Sequence, residues 1–291
     1  MRFFGFLGYN GKHMDILYGK PVADGILSRL KEKISQKGSA PKLAVVLVGD
    51  NKASGIYVNL KEKKAREIGV GFFLSRFPAD VEENYILAEI RRLNDDVRIN
   101  GIIVQLPLPE KLDASRIINE ISVEKDVDGF STKEGRPSNL TPVFPKAIMM
   151  MIGSSGKEIF GKKALVVANS DRFGEAMCSV LEKSGTIAGY ILADTVSDNI
   201  EKIRDADIVV TAVGECGIIS GSMIRPSAIV IDGGMVEKEG HVSGDVDFLS
   251  VSGMAGYVSP VPGGVGPVTI ACLLENVYLA YENQNITNTT I

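Results

Sequence analysis

Short β-branched runs alternate with segments of helical spacing along these 291 residues, and that alternation limits what the chain can fold into. The runs are Leu43–Val48 (LAVVLV), Gly101–Leu106 (GIIVQL), Ala164–Ala168 (ALVVA), Ile208–Val213 (IVVTAV) and Ala228–Asp232 (AIVID), with Gly71–Phe77 and Gly189–Ala193 as further strand candidates. They are continuously apolar rather than alternating, so each strand is expected to be buried on both faces. Between them, Val22–Ile34, Ser54–Ile68, Glu82–Leu93, Phe173–Leu181 and Glu201–Ala206 read as helices, and Val268–Tyr281 as a last apolar helix. Strand and helix in turn give the α/β class, a parallel sheet covered on both sides.

The texture breaks at Thr141–Gly153 (TPVFPKAIMMMIG), where two prolines precede a Met-rich stretch, and a second α/β series follows. A length of 291 residues suits two such domains. Composition then excludes several functions. Lys and Arg total 32 against 36 Asp and Glu, so the basic excess of a nucleic-acid binder is missing. No apolar run reaches the length of a membrane span. Cys178, Cys216 and Cys272 are scattered, and the histidines are His13 and His241, which argues against disulfide frameworks, metal sites and Ser-His-Asp hydrolysis. His13 falls in residues 1–13, which lack a secretory h-region and read as an upstream extension before Met14; His241 follows Gly240 in an expected turn. The absence of an export signal and of paired cysteines points to the cytoplasm. The polar tail NQNITNTTI is expected to fray.

In the second series the run ALVVA ends in Asn169-Ser170-Asp171-Arg172-Phe173-Gly174 before a helix. Such a strand–turn–helix start offers backbone N–H groups and a positive helix end to a pyrophosphate. Ala168 stands where the first fingerprint glycine would be, and Gly174 alone matches, so an ordinary βα turn remains open. Asp194 follows the next strand, 20 residues after Gly174, where a carboxylate would bond a ribose 2′-hydroxyl. Ala212, Val213 and Gly214 end a later strand with small residues that let backbone approach a cofactor.

In the first series Tyr57 and Lys61 lie four apart and share a helix face. A partly desolvated lysine can carry protons near neutrality, although for the bare pair a solvated helix lysine beside an interface tyrosine is the more ordinary reading. Gln105 ends an apolar strand, where ligands of parallel sheets gather, unless loop backbone takes up its amide. Asp128 precedes Gly129 and could close a simple turn. Pro260–Pro267 (PVPGGVGP) is a rigid loop with exposed backbone, suited to a flat ligand or to a change of chain direction.

Taken in order, VGDNKASGIYVNLKEKKAREIG, GIIVQLPLP, EKDVDGF, AIVIDGG, GDVDF and SPVPGGVGPVTIACLLEN closely resemble the bifunctional methylenetetrahydrofolate dehydrogenase/methenyltetrahydrofolate cyclohydrolase (FolD) family, over about Ile16 to Tyr281. The resemblance implies a folate-binding catalytic domain of residues 14–143 with 267–285, and a Rossmann-like NAD(P) domain of residues 144–266. It also implies an active-site cleft between them and a homodimer formed through the nucleotide domain. It makes Lys61 the central catalytic residue, with Tyr57 over the folate, Gln105 tuning Lys61 and Asp128 bonding the pterin, while Pro262, Gly263 and Gly264 line the folate pocket. Cofactor contacts are expected from Ala168, Asn169, Ser170, Arg172, Phe173, Gly174, Asp194, Thr195, Ala212, Val213, Gly214 and Asp232. The implied chemistry is NADP-dependent oxidation of 5,10-methylenetetrahydrofolate and hydrolysis to 10-formyltetrahydrofolate, without a metal.

The departures from the family pattern fall mostly in the nucleotide domain. Ala168-Asn169-Ser170 replaces a usual Gly-Arg-Ser, and Ala176 and Cys216 replace prolines. Phe144 and Ala147 replace Thr and Gly. Ile191-Leu192-Ala193-Asp194-Thr195 stands where a Cys-His-Ser stretch commonly meets the NADP 2′-phosphate, and Asp194 suits NAD instead. NADP remains the expectation. A monofunctional NAD-dependent dehydrogenase or a cyclohydrolase alone is the alternative, and a non-catalytic folate binder is disfavoured by the intact Tyr57, Lys61, Gln105 and Asp128.

Overall fold

The architecture is that of a computed structural model, and it describes residues 14–135, 137, 139–238 and 240–289. Residues 1–13, with His13, lie outside that set. In chain order the elements begin β1 (Asp15–Ile16), α1 (Gly19–Ser35), β2 (Lys42–Val48), α2 (Lys52–Glu67), β3 (Gly71–Phe77), α3 (Glu83–Asp95), β4 (Gly101–Val104), α4 (Ala114–Glu120) and α5 (Val143–Ser154). There follow β5 (Lys163–Ala168), α6 (Asp171–Lys183), β6 (Ile187–Leu192), a 3-10 turn at Ala193–Asn199, α7 (Ile200–Asp205), β7 (Ile208–Ala212) and β8 (Ile229–Asp232). The chain ends with β9 (Val236–Lys238), β10 (His241–Ser243), α8 (Phe248–Val251), β11 (Tyr257–Val258) and α9 (Val265–Thr289).

Two compact units result. One is Lys20–Ala147 with the described residues from Pro267 onward; the other is the described residues up to Gly19 with Ile148–Gly266. The first holds a parallel sheet in the order β3-β2-β4. Leu43 to Val48 on central β2 are all buried, which is why the sequence shows an unbroken apolar run there. Ile86, Ile90 and Leu93 of α3 pack with Ala44, Val46 and Val48 in one core. The buried Lys125 ends α3 by donating from Nζ to the carbonyls of Leu93 (3.1 Å), Asn94 (2.6 Å) and Asp96 (3.0 Å), a charged cap on otherwise orphan acceptors.

The second unit carries a six-stranded sheet in the order β1-β11-β8-β7-β5-β6, its paired strands parallel. The order is doubly wound. From β5 the chain goes outward to β6, then returns across β5 to β7 and β8, so the topological switch lies between β5 and β7. Ligands of such sheets sit beyond the carboxyl ends of the strands flanking that switch.

Several expectations change. Residues 15 and 16, expected in the first domain, pair as β1 with β11 in the second unit's sheet. The stretch read as a connection is helix α5, and the unit boundary falls inside it, after Ala147. His241 opens strand β10 rather than sitting in a turn. The tail is helical through Thr289, and side chains dock its first residues. Asn283 and Asn139 exchange amide bonds (3.1 and 3.0 Å), and Gln284 Nε2 donates to the Asn100 carbonyl (3.0 Å).

Candidate active site

In the first unit, Asn51 caps α2 by accepting from the Ser54 N–H (3.0 Å), which fixes where the helix starts and so which face carries Tyr57 and Lys61. Lys61 is half-buried and its Nζ donates to Gln105 Oε1 at 2.8 Å. Gln105 follows β4. Its own N–H bonds the Val46 carbonyl (2.9 Å) and its Nε2 bonds the Leu106 carbonyl (2.6 Å), so its oxygen is held toward the lysine. Burial pushes the Lys61 ammonium below its ordinary value, and the nearby Asp128 carboxylate opposes the shift. A lysine with a neutral acceptor as its hydrogen-bond partner, and a carboxylate acting from further off, can hold or release a proton.

Asp128 is set by a buried neighbour that sequence reading overlooked. Asp126 accepts from the Gly129 N–H and the Ser131 N–H, each at 2.9 Å, and so fixes the turn on which Asp128 sits. The Asp128 carbonyl accepts from Val143 N–H (2.9 Å), and Asn276 of α9 donates to the carbonyls of Val127 and Thr141, each at 2.8 Å. The Asp-x-Asp-Gly spacing in DVDGF was the available signal: one acid for the backbone, one half-exposed.

In the second unit the switch point gathers the two expected loops. Asn169 N–H donates to the Ala212 carbonyl (3.3 Å), joining the end of β5 to the end of β7. Asn169, Ser170 and Arg172 are exposed, Phe173 is half-buried and Ala168 is buried. Ser170 leaves the first turn of α6 without a side-chain cap and donates to Asn169 Oδ1 (3.1 Å). Gly174 is required: a Cβ there would lie 2.9 Å or closer to the Tyr190 ring, whose hydroxyl donates to Asp171 (3.0 Å). Asp194 is exposed in the first turn after β6, and the Thr195 hydroxyl is spent on the Leu192 carbonyl (2.8 Å). Gly214 is exposed with φ +84°. An uncapped helix start, a glycine with no room for a side chain and an exposed glycine turn across the switch fit a dinucleotide.

Asp232 differs from expectation. Its side chain is buried and serves the protein's own backbone, with Oδ1 accepting from Gly234 N–H (3.0 Å) and Asp245 N–H (3.1 Å) and Oδ2 from Val246 N–H (3.0 Å). Its carboxyl therefore supports the site from behind rather than facing a cofactor. Burial, with Asp245 adding, pushes it up to about 6, against the pull of those N–H donors. Pro262, Gly263 and Gly264 form the turn before α9, where the Gly263 carbonyl accepts from Gly19 N–H (2.8 Å). Among the described residues no cluster of His, Cys, Asp and Glu could hold a metal ion.

A doubly wound unit with an open switch point, joined in one chain to an α/β unit bearing a partly desolvated lysine, defines a dinucleotide-dependent class of enzyme. The family models narrow the class. The tetrahydrofolate dehydrogenase/cyclohydrolase catalytic domain matches residues 17–128, and the NAD(P)-binding domain of the same name matches residues 142–285. The chain belongs to the tetrahydrofolate dehydrogenase/cyclohydrolase family. It is 40% identical over 283 residues to the bifunctional protein FolD of Methanoculleus marisnigri, covering 95% of this chain and 99% of that one. The structure of the bifunctional FolD enzyme of Campylobacter jejuni superposes with a TM-score of 0.87 at 36% identity, over 93% of this chain and 99% of that one. The Trypanosoma brucei FolD, solved with NADP and an inhibitor, gives 0.86 at 32% identity, over 93% and 98%.

Proposed function

We infer that the protein oxidises 5,10-methylenetetrahydrofolate to 5,10-methenyltetrahydrofolate with NADP as acceptor, and hydrolyses the product to 10-formyltetrahydrofolate. The observation that carries the reading is Lys61, half-buried, hydrogen-bonded to Gln105 and lowered in pKa by burial. When bound, NADP supplies the acceptor for the hydride that leaves the methylene carbon. The side chains handle the rest. Tyr57 covers the folate beside Lys61, and Asp128 bonds the pterin. Pro262, Gly263 and Gly264 line the folate pocket.

The hydrolytic half is proton traffic. Water adds to the methenyl carbon, and the neutral Lys61 amine takes the proton released. The Lys61 ammonium then protonates N5 as the C–N5 bond breaks, and the carbinol hydroxyl gives up its proton to solvent as the formyl C=O forms on N10, so the charge of the methenyl cation leaves as one proton. No charge is left on the enzyme after the cycle. An amine whose pKa is lowered by burial suits both transfers better than one locked by an adjacent carboxylate.

A second reading, NAD as acceptor, has its own observation: Asp194 is exposed at the end of β6, where a 2′-phosphate would meet a carboxylate. Absorbance of the purified protein with methylenetetrahydrofolate and each dinucleotide tests both. Reduction of NADP supports the main reading; reduction of NAD alone favours the second; reduction of neither removes the dehydrogenase.

The same reading includes a homodimer formed through the nucleotide domain, a cytoplasmic location and one-carbon supply to purine synthesis. The exposed Met235 and Val242 on and beside the β9–β10 hairpin support an interface there, and light scattering tests it.

A further inference from the structure

Behind the switch point, in the second unit, lies an arrangement with no counterpart among the expected site residues. Asp245 is fully buried. Its Oδ2 accepts from Val213 N–H (2.8 Å), and its Oδ1 accepts from both Gly214 N–H (2.8 Å) and Glu215 N–H (2.9 Å). Three successive amides of the loop that leaves β7 thus converge on one carboxylate. The carboxylate is itself held. Asp245 N–H donates to Asp232 Oδ1 (3.1 Å), and the Asp245 carbonyl accepts from Ile219 N–H (3.0 Å). Gly234 stays a glycine for the same reason, since a Cβ there would fall on the Asp245 carboxylate.

We propose that Asp245 is a positioning residue for the dinucleotide, fixing the loop Val213–Gly214–Glu215 as one wall of the crevice at the switch point. The proposal rests on the dinucleotide reading above. Its content is directional. Amides turned toward Asp245 are not turned toward a ligand, so this wall offers flat backbone and no N–H donors. A pyrophosphate must then be held by the opposite wall, at Asn169–Phe173 and the start of α6. The buried negative charge of Asp245 acts the same way, keeping phosphate off the β7 loop.

The test is Asp245→Asn, which replaces one acceptor oxygen by a donor facing backbone N–H groups. NADPH fluorescence titration is expected to show a dissociation constant raised about tenfold or more, the scale of hydrogen bonds to a charged acceptor. Amide hydrogen exchange is expected to quicken at Val213, Gly214 and Glu215. Hydrolysis of methenyltetrahydrofolate without dinucleotide is expected to stay within about twofold of wild type, since the hydrogen-bond partners of Asp245 do not include the residues assigned to the folate. In the dehydrogenase assay the loss appears in the KM for the dinucleotide more than in kcat. Gly234→Ala, which pushes on the same carboxylate, is expected to move affinity in the same direction. Unchanged NADPH affinity in Asp245→Asn overturns the proposal. So does a parallel loss of hydrolysis, which marks Asp245 as serving the fold at large. Failure of the underlying reading is separate: the wild-type protein then binds neither NADPH nor NADH.

Discussion

The Lys61 region and the β5–β7 crevice are built on opposite plans. Around Lys61 the work falls to half-buried side chains, an amine, an amide and a carboxyl, with the amine bonded to the amide. At the crevice the side chains with most hydrogen bonds, Asp232 and Asp245, are buried, and what they present to the surface is shaped backbone. The first plan tolerates little change in residue identity. The second tolerates changes on the surface, such as Asn169, so long as the buried supports remain.

That contrast can be broken most sharply at Lys61. Lys61→Ala is expected to lower cyclohydrolase kcat by about 10²–10⁴-fold, the usual worth of a general acid–base group, with the melting temperature near that of wild type. Hydrolysis near the wild-type rate would remove Lys61 from its role. Next comes Gly174→Ala, which forces a methyl into the Tyr190 ring. Overpacking of this kind costs about 1–3 kcal/mol, read as a lowered denaturation midpoint together with weaker NADPH binding. Wild-type stability would show that Tyr190 moves aside without cost.

Asp194→Ser addresses the surface of the crevice. It is expected to raise the NADP-to-NAD ratio of kcat/KM by about tenfold through loss of like-charge repulsion, and an unchanged ratio would place the 2′-phosphate elsewhere. The smallest effect belongs to Asp232. Its carboxyl is raised from an ordinary 3.8 to about 6. Between those values the folded state keeps a proton that the unfolded state has released, so stability contributed by this group falls as pH rises from about 4 to 6 and is level above. Asp232→Asn is expected to flatten the melting temperature across that window, relative to wild type. An unaltered slope would mean that the backbone donors keep Asp232 ionised throughout.

The same contrast decides what could be read from the sequence. The strands with both faces covered, LAVVLV and GIIV among them, were plain because burial on both faces favours apolar residues throughout. Tyr57, Lys61, Gln105 and Asp128 were candidates by spacing and position, but each also fits an ordinary helix face, loop or turn, and only the resemblance of the motifs around them gave them roles. The strand pairing of β1 with β11 was not legible, since two residues of sheet edge carry no pattern and are set by what lies beside them. Nor was the helical tail, whose polar residues look frayed until Asn139 and Asn100 are found opposite them. Asp245 was visible as a letter in GDVDF but not as a role, because its partners are main-chain amides some 30 residues away, and a backbone N–H has no identity in a sequence.

The proton-carrying role of Lys61 is the claim on which the hydrolytic chemistry depends, and it can be observed without turnover. In an NMR titration of protein labelled at the lysine side chains, the Lys61 signal is assigned by its absence from Lys61→Arg. The account predicts that it titrates below the ordinary 10.5, in the direction burial dictates. A signal titrating at or above that value would show an amine held charged by Asp128, and would contradict the proposed proton transfer.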